Sequence, residues 1–170
     1  MPRSPVPVRP IVKFPDPLLS RPAAEVEAFD DDLGALAADL LDTMRAAPGI
    51  GITGPHIGVL QRVVVIETSF ADGARTFVNP VITWSSPETA PHMEGSVSMP
   101  GVSDEIERPV RIKLRWQDLD GLTHTGEADG LLAVCLQHEI DQLDGCFWID
   151  RLSRLRRERI VKKYEKLQKR

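Results

Sequence analysis

The order of elements in this chain predicts a single α+β domain built around one buried helix. Three observations carry that expectation. Residues 131–145 hold Leu131, Leu132, Val134, Cys135, Leu136, Ile140 and Leu143, which cover most of a helical circumference, the pattern of a helix packed on nearly all sides. Between residues 62 and 127 strand-like runs follow one another through turns, with helical periodicity before and after them. The 170 residues are 42% hydrophobic and 27% charged, which suits one globular domain with a sizeable core.

Residues 1–20 are Pro-rich and extended, with Pro15-Asp16-Pro17 as a turn. A first helix follows from Leu33, Leu36, Leu40, Leu41 and Met44, with Asp30 to Asp32 at its start and Pro48-Gly49 as its stop. Residues 49–58 read as a glycine-rich loop. It lacks the Gly-Lys-Ser/Thr ending of a phosphate-binding loop, and it lies between helix and strand, the wrong order for a dinucleotide-binding turn. Arg62 to Thr68 is a continuous apolar strand, and Thr76 to Trp84 a second, with Pro80 at an edge or bulge. A loop over 85–93 leads to the Glu94 to Gly101 stretch. Val110 to Trp116 alternates as a half-buried strand, Asp118 to Gly121 turns, and Thr123 to Glu127 returns. After the buried helix, stopped by Gly145, the reading gives a short strand over Cys146 to Ile149 and a basic helix from about Ser153, with Leu152, Leu155, Ile160, Tyr164 and Leu167 as its apolar stripe. Trp84, Trp116 and Trp148 fall in strand segments and read as core.

Composition excludes several classes. No run approaches the roughly 18 apolar residues of a membrane span, and the N-terminus has no apolar stretch of the signal-peptide kind. Cys135 and Cys146 are the only cysteines, so the expectation is a cytoplasmic protein with reduced thiols. The net charge of −4 is uneven: residues 151–170 hold ten Lys/Arg against two Glu, a net of +8, leaving −12 elsewhere.

The buried helix carries His138, Glu139 and Gln142, a spacing similar to the His-Glu-x-x-His zinc motif with glutamine in place of the second histidine. Burying a histidine and a carboxylate costs several kcal/mol unless they have partners, about what an unpaired buried polar group forfeits. Two other polar stretches, His56 and Glu94 to Ser98, sit among glycines that permit close backbone approach.

Taken in order, Gly49 to His56, Glu94 to Ser98 and Gln137 to Leu143 resemble the three motifs of the peptide deformylase family: Gly-x-Gly-x-Ala-Ala-x-Gln, Glu-Gly-Cys-x-Ser and Gln-His-Glu-x-Asp-His-Leu. Arg108-Pro109 and Asp144 to Ser153 also look like the family, so the likeness covers roughly residues 10–168. It implies mixed antiparallel sheets around the central helix, and hydrolytic removal of the N-formyl group from the formylmethionine of nascent polypeptides. Glu139, His56 and Gly54 fall at catalytic positions. The metal-ligand positions, which hold Fe2+ or Zn2+ in the family, are His138, Ser96 and Gln142. Ile50, Val97, Leu131, Val134 and Cys135 line the methionine pocket, with His92 where the family usually has an apolar residue. The family's Glu94 is mainly structural, a partner for Arg108 or a backbone N–H.

The departures matter chemically. A serine hydroxyl resists deprotonation where a cysteine supplies a thiolate, and an amide oxygen is a neutral ligand; His138 alone is too little for iron or zinc. The implied metal is absent or weakly bound. Without it, a carboxylate of pKa about 4.3 faces water of pKa about 15.7, a gap of about 11 units or about 15 kcal/mol. Three readings follow: a relative with weak or lost deformylase chemistry that binds peptides; a metal site rebuilt on His56, His138 and Glu139 or Glu94; or Ser96 as a nucleophile with a histidine base. The implied partners are N-terminal formyl-Met peptides and, through the basic C-terminal helix, the ribosome.

Overall fold

The computed structural model describes residues 8–170; the first seven residues of the Pro-rich stretch lie outside the described residues. The segment around Val12 is extended and is tied down by backbone hydrogen bonds from Val12 N to the His56 carbonyl and from Phe14 N to the Ser98 carbonyl, 2.8 Å each. A 3₁₀ turn, Pro17–Ser20, follows, with Asp16 accepting from Leu18 N. Helix α1 (Asp31–Ala46) begins as the acidic cluster predicts, Asp30 accepting from Leu33 N at 3.2 Å.

Strands β1 (Gly51–Thr53), β2 (Val63–Ile66), β3 (Arg75–Ser85), β6 (Arg111–Gln117) and β7 (Thr123–Asp129) form an antiparallel sheet in the order β1-β2-β3-β6-β7. Strands β4 (Thr89–Ser96) and β5 (Met99–Pro109) pair only with each other, as an antiparallel hairpin. Helix α2 (Gly130–Leu143) is the central element, followed by a 3₁₀ turn (Trp148–Arg151) and helix α3 (Arg154–Gln168). Among the described residues no helix is long and apolar enough to cross a membrane.

The continuous Val63-Val64-Val65-Ile66 run has a simple cause. Val64 and Ile66 pack with Phe77, Ile112 and Leu114 against Leu136 and Leu143 of α2, whereas Val63 and Val65 pack against Leu36, Leu40 and Met44 of α1. Both faces of the strand are covered, so it needs no polar side. A third cluster joins the hairpin (Met99, Val102, Ile106) to Phe147, Trp148, Ile160 and Tyr164, which docks α3.

Several expectations are corrected. The glycine-rich stretch is ordered as β1 and a 3₁₀ turn (Gly54–Ile57). Residues 85–93 are mostly strand, and the sequence reading assigns no element to 102–109, which is the body of β5; its alternation of buried Val102, Ile106 and Arg108 with exposed Glu105 and Glu107 is masked by charge. The strand over Cys146 to Ile149 is instead the 3₁₀ turn, with Asp150 accepting from Phe147 N. Pro80 sits inside the sheet at a register shift between Val78 and Val81, the bulge rather than the edge. Trp84 is 41% exposed under the Lys113 ammonium, and Leu155 is 59% exposed, Val161 taking its place in the docking stripe of α3. Gly145 does end α2, at φ +80, and a Cβ there would lie 2.7 Å from the Ser20 carbonyl oxygen.

Candidate active site

Glu94, His138, Glu139 and His56 come from three separate elements. A register shift between Glu94 and Ser96 at the end of β4 turns Glu94 inward. There it accepts from His138 Nδ1 at 2.8 Å and from Arg108 Nε and Nη2 at 2.6 and 2.9 Å. Arg108 also donates to Asp141 at 2.9 Å, and Asp141 accepts a forked pair from Arg151 at 3.0 and 2.7 Å. Burial works against the Glu94 carboxylate, but His138 and Arg108 outweigh it and hold its pKa below the usual range. For His138, burial is likewise the largest single influence and lowers the pKa; Glu139 and Glu94 together overcome it and leave the imidazole more basic than usual.

Glu139 follows His138 on α2 and lies against β1, where a Cβ on Gly51 would come within 2.9 Å of Oε1. Its Oε1 is 3.8 Å from His138 Nε2 and its Oε2 is 3.8 Å from His56 Nδ1, too far for hydrogen bonds, and Oε2 has no partner among the described residues. Burial pushes this carboxyl up to about 7, with Glu94 adding to the shift and His138 and Arg108 opposing it. His56 is 1% exposed in the 3₁₀ turn. Its Nδ1 accepts from Thr53 N at 2.9 Å and lies 2.9 Å from Thr53 Oγ1, while Nε2 has no partner among the described residues. Burial, aided by His138, lowers its pKa to about 3, so it is neutral at ordinary pH.

These groups line one cavity of about 470 Å³. Of the residues the sequence reading assigned to the site, His56, Ser96, His138 and Glu139 form its polar part, and Ile50, Val97, Leu131, Val134 and Cys135 its apolar wall. Ile50 and Leu131 are 44% and 40% exposed, at its mouth. His92 lies on the exposed rim, its Nδ1 2.9 Å from the Met93 carbonyl oxygen. Cys135 is a buried thiol pushed up to about 12, chiefly by burial, and is a packing group. Gly54 and Gln142 do not line the cavity. Gly54 packs elsewhere: a Cβ on it would lie 2.6 Å from the Val59 carbonyl oxygen. Gln142 donates Nε2 to the Leu19 carbonyl at 2.8 Å. Sequence reasoning missed Ile11 and Lys13, which close one side, Lys13 donating to the Val97 carbonyl at 3.1 Å. Nothing local marks them; the long-range ties of the extended segment bring them there.

The donor set does not fit Fe2+ or Zn2+. Ser96 Oγ accepts from Ser98 N at 3.0 Å, Gln142 is tied to Leu19, and His138 has Nε2 as its one uncommitted nitrogen. Among the described residues no three His, Cys, Asp or Glu side chains are grouped so that they could hold a metal ion. The serine-nucleophile geometry is not formed either, since no hydrogen bond among the described residues joins Ser96 to His138 or His56.

The family model for polypeptide deformylase matches residues 8–158. The chain belongs to the peptide deformylase family. It is 65% identical over 162 residues to a peptide deformylase-like protein of Brucella suis, covering 95% of this chain and 99% of that one. To a protein of the same strain named peptide deformylase it is 42% identical over 163 residues, covering 94% and 93%. The crystal structure of a peptide deformylase from Legionella pneumophila superposes with a TM-score of 0.90 at 36% identity, covering 96% of each chain. The fold is thus that of the deformylases, with the hairpin and α2 contributing to the walls of the cavity on which Glu94, His138 and Glu139 converge.

Proposed function

We propose that this protein binds the N-terminal end of peptides, formyl-Met peptides foremost, in the deformylase cavity, and that its own deformylase turnover is weak or lost. One observation carries the reading: the side chains at two of the three metal-ligand positions, Ser96 and Gln142, are uncharged and hydrogen-bonded to the chain itself. Glu139 is better placed as a base than a free carboxylate. With a pKa of about 7, its gap to unactivated water narrows to about 9 units, still about 12 kcal/mol. It orients a water and accepts an N–H without making hydroxide at a useful rate. The Brucella suis pair fits this reading, since there a deformylase-like protein stands beside a protein named peptide deformylase.

A cytoplasmic setting and a ribosomal contact through α3 belong to the same proposal. Ile160 and Tyr164 face inward, Arg156 pairs with Asp104 and Arg154 with Glu158, while Arg159, Lys162, Lys163 and Lys166 are exposed and available to phosphates.

The deciding experiment measures metal content of the purified protein together with hydrolysis of a formyl-Met tripeptide. The expected result is substoichiometric iron and zinc, with turnover several orders of magnitude below a deformylase run in parallel. Stoichiometric metal with efficient turnover would sink the proposal. Restoring Ser96→Cys and Gln142→His with His56→Gln should give metal uptake once the side chain at 142 leaves the Leu19 carbonyl for the cavity, and no uptake would mean that the pocket itself has diverged.

A further inference from the structure

We propose that Lys13 sets the charge class of ligand for this cavity: its ammonium, at the mouth, holds a carboxylate carried a short distance behind an N-acylated end. The inference rests on the peptide-binding reading above and adds which of those ligands the cavity prefers.

Among the described residues that line the cavity, Lys13 is the only Lys or Arg. Ile11 and Lys13 stand two apart on an extended segment, so both present their side chains to the same wall. That segment is fixed on either side of Lys13, where Val12 N donates to the His56 carbonyl and Phe14 N to the Ser98 carbonyl, 2.8 Å each. The ammonium is exposed and donates to the Val97 carbonyl at 3.1 Å, an uncharged partner, and it forms no ion pair with a carboxylate among the described residues. Val97 is itself wedged in place, since a Cβ on Gly49 would lie 2.7 Å from its Cγ1. The tether thus points an uncompensated cation along the cavity wall, with N–H donors to spare.

The inner end of the cavity repels what the mouth attracts. Glu139 is 5% exposed with Oε2 unpartnered among the described residues, and the buried Arg108 guanidinium is already shared between Glu94 and Asp141. A ligand carboxylate placed there would lose its hydration and meet another carboxyl. At the mouth it keeps water and gains the ammonium. Val97, Leu131 and Val134 supply apolar surface, so the uncharged end of a ligand enters and its carboxylate stays with Lys13. Two kinds of ligand carry a carboxylate so placed: a peptide whose second residue is Asp or Glu, and an N-acyl amino acid with its own α-carboxylate free.

Calorimetry at neutral pH and low salt compares two pairs of probes. Formyl-Met-Asp-Ala-amide against formyl-Met-Asn-Ala-amide tests a side-chain carboxylate, and formyl-methionine against its amide tests a free one. In at least one pair the carboxylate should bind roughly threefold to fivefold more tightly, the range of an exposed ion pair, and the pair that shows it identifies the source. The advantage should vanish in Lys13→Gln, persist in Lys13→Arg and shrink as salt is raised. Lys13→Glu should instead favour formyl-Met-Lys-Ala-amide over the Asp probe, a gain that a misfolded variant could not produce. No advantage in either pair, or one that survives Lys13→Gln, overturns the proposal while leaving peptide binding intact. Failure of every probe to bind the wild type overturns the peptide-binding reading and this inference with it.

Discussion

At the residue scale, the candidate site is governed by which polar atoms have partners. Arg108 is 4% exposed and holds Glu94 and Asp141 together. Removing it as Arg108→Ala leaves Glu94 buried beside His138, which should cost about 3–5 kcal/mol, the penalty of breaking a buried ion pair. Denaturant unfolding checks this, and a loss below 1 kcal/mol would mean that water replaces the guanidinium easily. His56 gives a prediction of opposite character. Its folded-state pKa of about 3 lies below the ordinary 6.5, so below about pH 6.5 the unfolded chain binds a proton that the folded chain excludes. The stability it contributes is present above pH 6.5 and lost as pH falls toward 3. His56→Gln has no such proton, so the stability of wild type relative to this variant should fall by roughly 1 kcal/mol per pH unit between pH 6 and 4. Parallel urea curves test it, and a pH-independent difference would mean that the ring protonates in place.

At the element scale, α2 has two duties on different faces. Ala133, Leu136 and Leu143 press onto the five-stranded sheet, while His138 and Glu139 face the cavity. Leu136 is fully buried, and Leu136→Ala should cost about 2–5 kcal/mol, with thermal unfolding as the readout. The same change should leave cavity affinity for formyl-Met-Ala-Ser nearly unaltered in the folded fraction, because Leu136 does not line the cavity. A matching loss of affinity would mean that sheet packing and cavity shape are coupled through the helix. Gln142, near the C-terminal end of the helix, fastens α2 to Leu19 in the N-terminal segment.

For the whole molecule, charge is segregated, +8 over residues 151–170 against −12 elsewhere. Part of this closes internally through Arg156–Asp104 and Arg151–Asp141. Truncation after Ser153 is a poor test of a polyanion-binding surface, because it removes Ile160 and Tyr164 from the cluster that covers Met99 and Trp148. Charge reversal at Lys162, Lys163 and Lys166 keeps that packing. It should abolish ribosome co-sedimentation at low salt while leaving unfolding curves unchanged, and wild-type binding should itself collapse as salt is raised. Persistent binding of the reversed variant would remove α3 from the proposal.

What the sequence by itself determined is the fold family. The apolar helix with His138 and Glu139 and the buried strand Val63 to Ile66 were legible, because periodicity and motif spacing are properties of neighbours in the chain. Only the tertiary structure decided which atoms those residues have left to offer. Gly54 faces away, Gln142 is tied to a carbonyl 123 residues earlier in the chain, Ile11 and Lys13 arrive from the N-terminal segment, and β5 forms where charge hides its alternation. The tautomer of His56 follows from a backbone N–H three residues before it. Hydrogen bonds and burial are set by approach in space, and spacing along a chain does not encode them.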